Sequence, residues 1–394
     1  LKEAPPNAIF HLTTMFEADT HPSKINLGVG VYRDSHLRPF VDHGACWFVP
    51  SRHSGDNPPP PEYLPIVGLK EFREYSSRLV FGEDSDAIAE RRVGSVQSLS
   101  GTGALRLCFD FLKVHDLVDR VYVSDPTWGN HPALVAAAGF PPVERYAYFD
   151  AATGGLAFDA LMESFASMPP RSAVVLQACA HNPSGVDPTH EQWEAILALC
   201  KERGIVPVMD FAYQGFASGD LDEDAFAIRA AVSMGLEIFV CQSFAKNMGL
   251  YSERVGALHI VTQSAAATRA ACSLMALIVR KSYSNPPAFG ARIVASILSS
   301  STLMARWRKE VVGVVQRIKA MRVGLRTMLE SRHVRGPWTH MYSQIGMFTL
   351  TGLDRAEVKA LQQLHVFMLA NGRINMAGLS KDNLAYFVDC IASA

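Results

Sequence analysis

No stretch of the sequence holds the roughly 18 to 20 consecutive apolar residues that a membrane-spanning helix needs, so no membrane association is expected. The opening residues, L-K-E-A-P-P-N-A-I-F, also lack the apolar centre of a signal peptide, which argues against secretion. Charge of one sign is missing as well. Lys and Arg number 37 against 38 for Asp and Glu, which leaves no basic footprint for nucleic acid and no polybasic membrane patch. The 7 cysteines (Cys46, Cys108, Cys179, Cys200, Cys241, Cys272 and Cys390) include no C-x-x-C pair. An odd, scattered set within apolar runs reads as buried free thiols in a reducing compartment. The 13 histidines show no H-E-x-x-H or comparable spacing, so no metal site is expected.

What is present suits a globular protein. A chain of 394 residues with 48% hydrophobic content can bury a sizeable core, and its length suggests about two or three domains. Its middle alternates short β-branched runs with helical patterns, the signature of a parallel sheet covered by helices. Strands are expected at 120–124, 172–180, 205–210, 238–244 and 256–261. Thr189 and Gln192 form a candidate capping box before a helix that Gly204 closes. A long helical pattern beyond Ser301 is expected to link a large domain to a smaller one. The Pro-rich 56–63 stretch reads as an extended loop.

Several strand ends carry polar residues, and in open α/β sheets ligands sit at the carboxyl ends of strands. Asp210 ends one apolar strand and Ser243 another. A lone buried carboxylate wants a cationic partner, which is either a structural ion pair or a protonated heterocycle. Of two glycine-rich stretches, N-L-G-V-G-V-Y-R (26–33) and L-S-G-T-G-A-L-R (99–106), the second opens a helical pattern. Ser100, Gly101 and Thr102 would there offer N–H groups, hydroxyls and the positive end of a helix dipole to an anion, or simply cap the helix. Neither stretch completes G-x-G-x-x-G. Lys246 lies in S-F-A-K-N-M-G-L-Y-S-E-R between Ser243 and Arg254, with no acid nearer than Glu253. Arg280 and Arg373 are surface charges if taken singly. Converging on one site, their forks would select a dicarboxylic acid.

Ten motifs follow in order between residues 26 and 375, within a resemblance that runs from about residue 8 to residue 390: N-L-G-V-G-V-Y-R-D, E-Y-L-P-I-V-G-L, S-G-T-G-A-L-R, P-T-W-G-N-H, A-C-A-H-N-P-S-G-V-D-P-T, D-F-A-Y-Q-G-F-A-S-G-D, S-F-A-K-N-M-G-L-Y-S-E-R-V-G, Y-S-N-P-P-A-F-G-A-R-I-V, Q-I-G-M-F and G-R-I-N. Together they resemble the aspartate aminotransferases, of the fold type I class of pyridoxal 5′-phosphate enzymes. The resemblance implies an α/β fold, with a large cofactor-binding domain (40–314) built on a mostly parallel seven-stranded sheet covered by helices. It also implies a smaller α+β domain (1–39 and 315–394) that closes over the substrate. The implied reaction is reversible amino transfer between L-aspartate and 2-oxoglutarate, giving oxaloacetate and L-glutamate by a ping-pong mechanism.

Residue by residue, the resemblance makes Lys246 the lysine that holds the cofactor as a Schiff base and then shuttles the proton. It places Asp210 at the pyridine nitrogen with His131 behind it, and Tyr213 and Asn182 at the phenolic oxygen. Trp128 would stack on the ring. Ser100, Gly101, Thr102, Ser243 and Arg254 would hold the phosphate, joined by Tyr63 from the partner subunit. Arg373 matches the arginine for the α-carboxylate, and Arg280 the one that crosses from the neighbouring subunit to the side-chain carboxylate, which implies a homodimer with shared sites. Gly30 lies where the N-terminal segment closes over substrate, and Phe348 lines the entrance.

The largest departure is 41–61, where the family carries an amphipathic helix. Glycine and proline make a helix improbable here. Near Phe348, H-M-Y-S-Q replaces a more acidic segment, which leaves substrate breadth open. An aspartate/aromatic aminotransferase is the first alternative. A non-catalytic binding protein of the same fold is the second; it predicts damage at the lysine, the acid or the arginines, and all of these are intact. The cytoplasm is the expected compartment, with the mitochondrial matrix or another organelle the alternative if a targeting peptide precedes this sequence.

Overall fold

Seven strands form one sheet in the computed structural model, which describes residues 12, 15, 16, 18–28, 30, 32–36, 63–334, 336 and 338–393. The strands are β1 (Val93–Leu99), β2 (Arg120–Asp125), β3 (Glu144–Ala147), β4 (Ser172–Gln177), β5 (Val206–Phe211), β6 (Ile238–Ser243) and β7 (Val255–Val261). Their spatial order is β1-β7-β6-β5-β4-β2-β3. Neighbours pair in parallel except at β7, which runs antiparallel to both β6 and β1. All five strands expected from the sequence are present. The two that were not picked out are β1 and β3. In β1 the apolar pattern is broken by Ser95 and Gln97, which find partners inside the fold: Ser95 Oγ lies 2.7 Å from His259 Nδ1, and Gln97 Nε2 donates to the Pro287 carbonyl at 2.7 Å.

Because side chains alternate across a strand, the central strands feed two hydrophobic clusters, one on each face. Val175, Val208, Phe239 and Cys241 pack on one face with Leu105 and Cys108 of α1 (Ser100–Val114). Leu176, Met209, Phe211 and Val240 pack on the other, with Ile196 and Leu197 of α2 (His190–Arg203). Continuing the same alternation puts Gln177, Asp210 and Ser243 on the α1 face at the strand ends. Register agrees, since Gln177 pairs with Asp210, and Asp210 with Cys241.

The Thr189 capping box forms, with Thr189 Oγ1 accepting from Gln192 N at 3.3 Å and Gln192 Oε1 accepting from Thr189 N at 2.9 Å. Gly204 ends α2 in the left-handed region at φ 64°. The long helix is α3 (Ser301–Ser331), begun by Ser300 Oγ, which accepts from Leu303 N at 3.3 Å. It packs against the C-terminal helix Leu384–Ser393. Near that end, β8 (Phe348–Leu350) and β9 (Arg373–Asn375) pair antiparallel, and Ile25–Asn26 pairs in parallel with Val366–Phe367. The 41–61 stretch and Cys46 lie outside the described residues. The other six cysteines are free thiols. Among the described residues no helix is long and apolar enough to cross a membrane, and no group of side chains is arranged to hold a metal ion.

Candidate active site

The strand ends on the α1 face open into one cleft. Ser100, Gly101, Thr102, Trp128, Asn182, Asp210, Tyr213, Ser243, Lys246 and Arg254 all line it, so ten of the sequence-predicted residues come together from segments up to 154 positions apart. At one end the start of α1, two serine hydroxyls and the Arg254 guanidinium converge, a set that can cradle an anion. The start of α1 delivers Ser100, whose Oγ lies 2.8 Å from Ser243 Oγ. Two of these residues, Ser100 (φ 61°) and Arg254 (φ 50°), adopt the left-handed backbone that side chains usually avoid, a conformation that concentrates at functional sites. Gly256 makes the approach of α1 feasible, since a Cβ there would come within 2.7 Å of the Ser100 carbonyl carbon. Arg254 Nη1 donates to the Tyr251 carbonyl at 3.1 Å, which fixes the side chain at the cleft wall.

At the other end Asp210 is 6% exposed, with His131 directly behind it: Nε2 of the fully buried imidazole lies 3.0 Å from Asp210 Oδ2. Trp128 meets the His131 ring edge-on, with centroids 5.2 Å apart and planes at 90°. Between the two ends sits Lys246, its Nζ 5.3 Å from the centre of the Tyr213 ring. Burial holds the ammonium below the usual lysine range; Asp210 opposes that shift and Arg254 adds to it. Burial likewise pushes the Tyr213 phenol up, so its oxygen stays protonated and able to donate.

Arg373 reaches the cleft from β9. Its Nη1 donates to Asn182 Oδ1 at 3.1 Å and its Nη2 to the Gly28 carbonyl at 2.6 Å, while Asn182 Nδ2 lies 3.5 Å from the Tyr213 hydroxyl. Burial lowers the guanidinium to about 10. The Phe348 ring lies under it, 4.4 Å from Arg373 Cζ, and meets Tyr213 edge-on at 6.1 Å. A Cβ on Gly30 would come within 3.0 Å of Phe348 Cζ, so the N-terminal segment touches the same ring.

Of the six predicted residues that do not line this cleft, His131, Gly30, Phe348 and Arg373 pack about it, and Tyr63 and Arg280 stand apart. Tyr63, 88% exposed, and Arg280 line a separate open cavity together with Tyr283, Ser284 and Asn285. Sequence reasoning also missed members of the cleft. Gln177 lines it and grips the Asn182 main chain, accepting from its N at 2.9 Å and donating to its O at 3.0 Å. A polar residue closing the apolar run of β4 was the available signal. No signal of that kind marked the Gly28 carbonyl, because every residue carries one.

A buried low-pKa amine, a carboxylate oriented by an imidazole, an anion cradle and a buried arginine can bind a phosphorylated heterocycle and move a proton beside it. Known proteins agree with that chemistry. The cytoplasmic aspartate aminotransferase of Gallus gallus is 46% identical over 99% of this chain and 96% of its own. Among solved structures, the aspartate aminotransferase from Saccharomyces cerevisiae cytoplasm superposes with a TM-score of 0.96 at 39% identity, covering 100% of this chain and 97% of that one. An aromatic-amino-acid aminotransferase from Burkholderia pseudomallei, covalently bound to pyridoxal phosphate, also gives 0.96 at 38% identity, covering 100% and 98%. Residues 22–391 match the family model described as aminotransferase class I and II, and with Lys246, Asp210 and Arg254 in one cleft, the chain belongs to that family.

Proposed function

We propose that this protein is an aspartate transaminase that works with pyridoxal 5′-phosphate, moving the amino group reversibly between L-aspartate and 2-oxoglutarate to give oxaloacetate and L-glutamate. One observation carries the reading: Lys246 is a buried amine held below its usual pKa, sharing a single cleft with Asp210 and the Ser100–Ser243–Arg254 cradle. This donor set fits the cofactor. Its phosphate suits the helix start and Arg254, and its pyridine nitrogen suits Asp210. At Gly101 a Cβ would crowd Ser243 Cβ at 3.2 Å, as expected where a backbone must stay close to an anion.

When bound, the pyridine ring supplies an electron sink for charge developing at the substrate α-carbon. Asp210, oriented by His131, would keep the proton on the ring nitrogen, and Trp128 would border the ring. Asn182 and Tyr213 would offer their donors to the phenolic oxygen. Ser100, Gly101, Thr102, Ser243 and Arg254 hold the phosphate. Lys246 anchors the cofactor and then takes and returns a proton at the α-carbon, for which it must be neutral. Arg373 receives the α-carboxylate as a two-pronged donor. Gly30 and Phe348 border the substrate and exclude water as the N-terminal segment closes.

Arg280 and Tyr63 complete the site from a second copy of the chain, and the protein is therefore a homodimer. The support is their placement together in a cavity apart from their own Lys246. In this reading residues 40–314 bind the cofactor, and residues 1–39 with 315–394 close over the substrate. The compartment is the cytoplasm, as it is for the similar chicken protein.

The test is direct. Purified protein incubated with pyridoxal 5′-phosphate acquires a near-ultraviolet or visible band that Lys246→Ala abolishes, and it produces oxaloacetate from aspartate and 2-oxoglutarate. A protein that stays colourless refutes the reading. A second reading, activity on both aspartate and aromatic amino acids, is favoured by the likeness to the Burkholderia enzyme and by the aromatic lining from Trp128 and Tyr213. Comparing kcat/KM for aspartate and tyrosine decides between them.

A further inference from the structure

Arg322 stands on α3, outside the cleft, and is 2% exposed. Its guanidinium gathers the main chain of one segment. Nη2 donates to the carbonyls of Ile345 at 3.1 Å, Gly346 at 2.9 Å and Phe348 at 2.6 Å, and Nη1 to that of Met341 at 3.5 Å. Converging carbonyl oxygens repel one another unless a cation with several fixed donors lies between them. Arginine supplies that geometry, whereas lysine is a point charge with three donors and glutamine offers only two.

The gathered segment touches the substrate end of the cleft on both sides. Ile345 N donates to the Gly185 carbonyl at 2.7 Å, in the loop that carries Asn182, and Met376 N donates to the Met347 carbonyl at 2.8 Å, just beyond β9. The contact with the loop is close: Gly185 has φ 70°, and a Cβ there would lie 2.5 Å from the Phe348 carbonyl oxygen. The segment ends at Phe348, whose ring supports the Arg373 guanidinium at 4.4 Å.

We propose that Arg322 is a positioning residue for substrate: by drawing together the carbonyls of residues 341–348 it sets the place of the Phe348 ring, and thereby the reach of Arg373 toward a carboxylate. The proposal rests on Arg373 being the carboxylate's partner. The linkage meets Asn182 and Tyr213 but does not pass through the phosphate cradle or Asp210, so the grip on the cofactor's phosphate and ring nitrogen is untouched.

The experiment uses the holoenzyme and two readouts, the Kd of succinate by calorimetry and steady-state kinetics with aspartate and 2-oxoglutarate. Arg322→Gln weakens succinate and raises both KM values by about 10- to 100-fold, the scale of a misplacement near 1 Å, while kcat changes far less. The cofactor's affinity, which rests on the phosphate cradle, stays close to that of wild type. Arg322→Lys recovers part of the loss. In a Phe348→Ala background Arg322→Gln adds little, because both act through the same ring. Unchanged Kd and KM, fully additive effects, or loss of cofactor binding in step with substrate binding would each overturn the proposal. Failure of both Arg322 variants to fold would do the same, since it marks a purely structural role. If wild type binds succinate but does not transaminate, the activity proposed above fails and the succinate Kd still decides the role of Arg322. If wild type does not bind succinate, the carboxylate reading of Arg373 fails and this proposal with it.

Discussion

His131 Nε2 lies 3.0 Å from Asp210 Oδ2, and the other nitrogen of the same imidazole is 2.7 Å from Thr127 Oγ1. Held from both sides and fully buried, the ring fixes how the carboxylate leaves β5. Removing the negative charge with Asp210→Asn leaves nothing to keep a pyridine nitrogen protonated. We expect kcat to fall by about 10²- to 10³-fold, the range for one preorganised electrostatic group. His131→Ala should cost about 1–3 kcal/mol of stability, because it strips a buried acceptor of its partner. Thermal unfolding and single-turnover rates on the two variants separate these effects.

Arg254 is the guanidinium we propose to face the cofactor's phosphate. Arg254→Met is expected to weaken pyridoxal 5′-phosphate by about 10- to 100-fold, the worth of a charge-assisted hydrogen bond, and to leave unphosphorylated pyridoxal almost unaffected. Equilibrium titration with both compounds makes the comparison. Equal losses would move Arg254 away from the phosphate.

Arg280 is predicted to serve a site other than the one in its own chain. Arg280→Ala should raise KM for aspartate by about 10- to 100-fold and shift preference toward uncharged or cationic amino acids. Mixing inactive Lys246→Ala subunits with Arg280→Ala subunits should restore aspartate turnover, since one site of each mixed dimer then holds both native residues. No recovery in verified mixed dimers would mean that sites are not shared.

Two buried histidines weaken the fold toward acid pH, against the opposite effect of Asp187, whose carboxyl burial raises to about 6. Burial holds both His181 and His259 down to about 3, from the ordinary 6.5. Between those values the unfolded chain binds protons that the folded chain refuses. The stabilisation is complete above pH 6.5 and is lost as pH falls toward 3, at about 1.4 kcal/mol per pH unit for each group. His181 lies between Ser124 Oγ at 2.9 Å and Ser184 Oγ at 2.8 Å, partners that a neutral amide can also use. His181→Gln should therefore flatten the fall of Tm between pH 6.5 and 4.5, and an unaltered slope would assign the effect elsewhere.

Much of the sheet was legible because its strands are short, apolar and bounded by turns. Strand β1 was not, since Ser95 and Gln97 look like surface residues until His259 and the Pro287 carbonyl are seen to meet them. In the site, Asp210 and Ser243 stood out as polar ends of apolar runs. Arg322 did not, because it sits within a 31-residue amphipathic helix where an arginine ordinarily faces water.

The sequence by itself determined the local terms: which runs become strands, which residues close them, and that a lysine without an acid neighbour lies between a serine and an arginine. Those follow from alternation and turn chemistry, which consecutive residues encode. Only the tertiary structure decided which of these residues meet. Arg373 finds Asn182 and the Gly28 carbonyl because β9 is carried back to the cleft by packing between segments far apart in the chain. The same packing buries Lys246 deeply enough to lower its pKa and leaves Arg280 on the outside. Burial and convergence are properties of register and docking, and no local pattern specifies them.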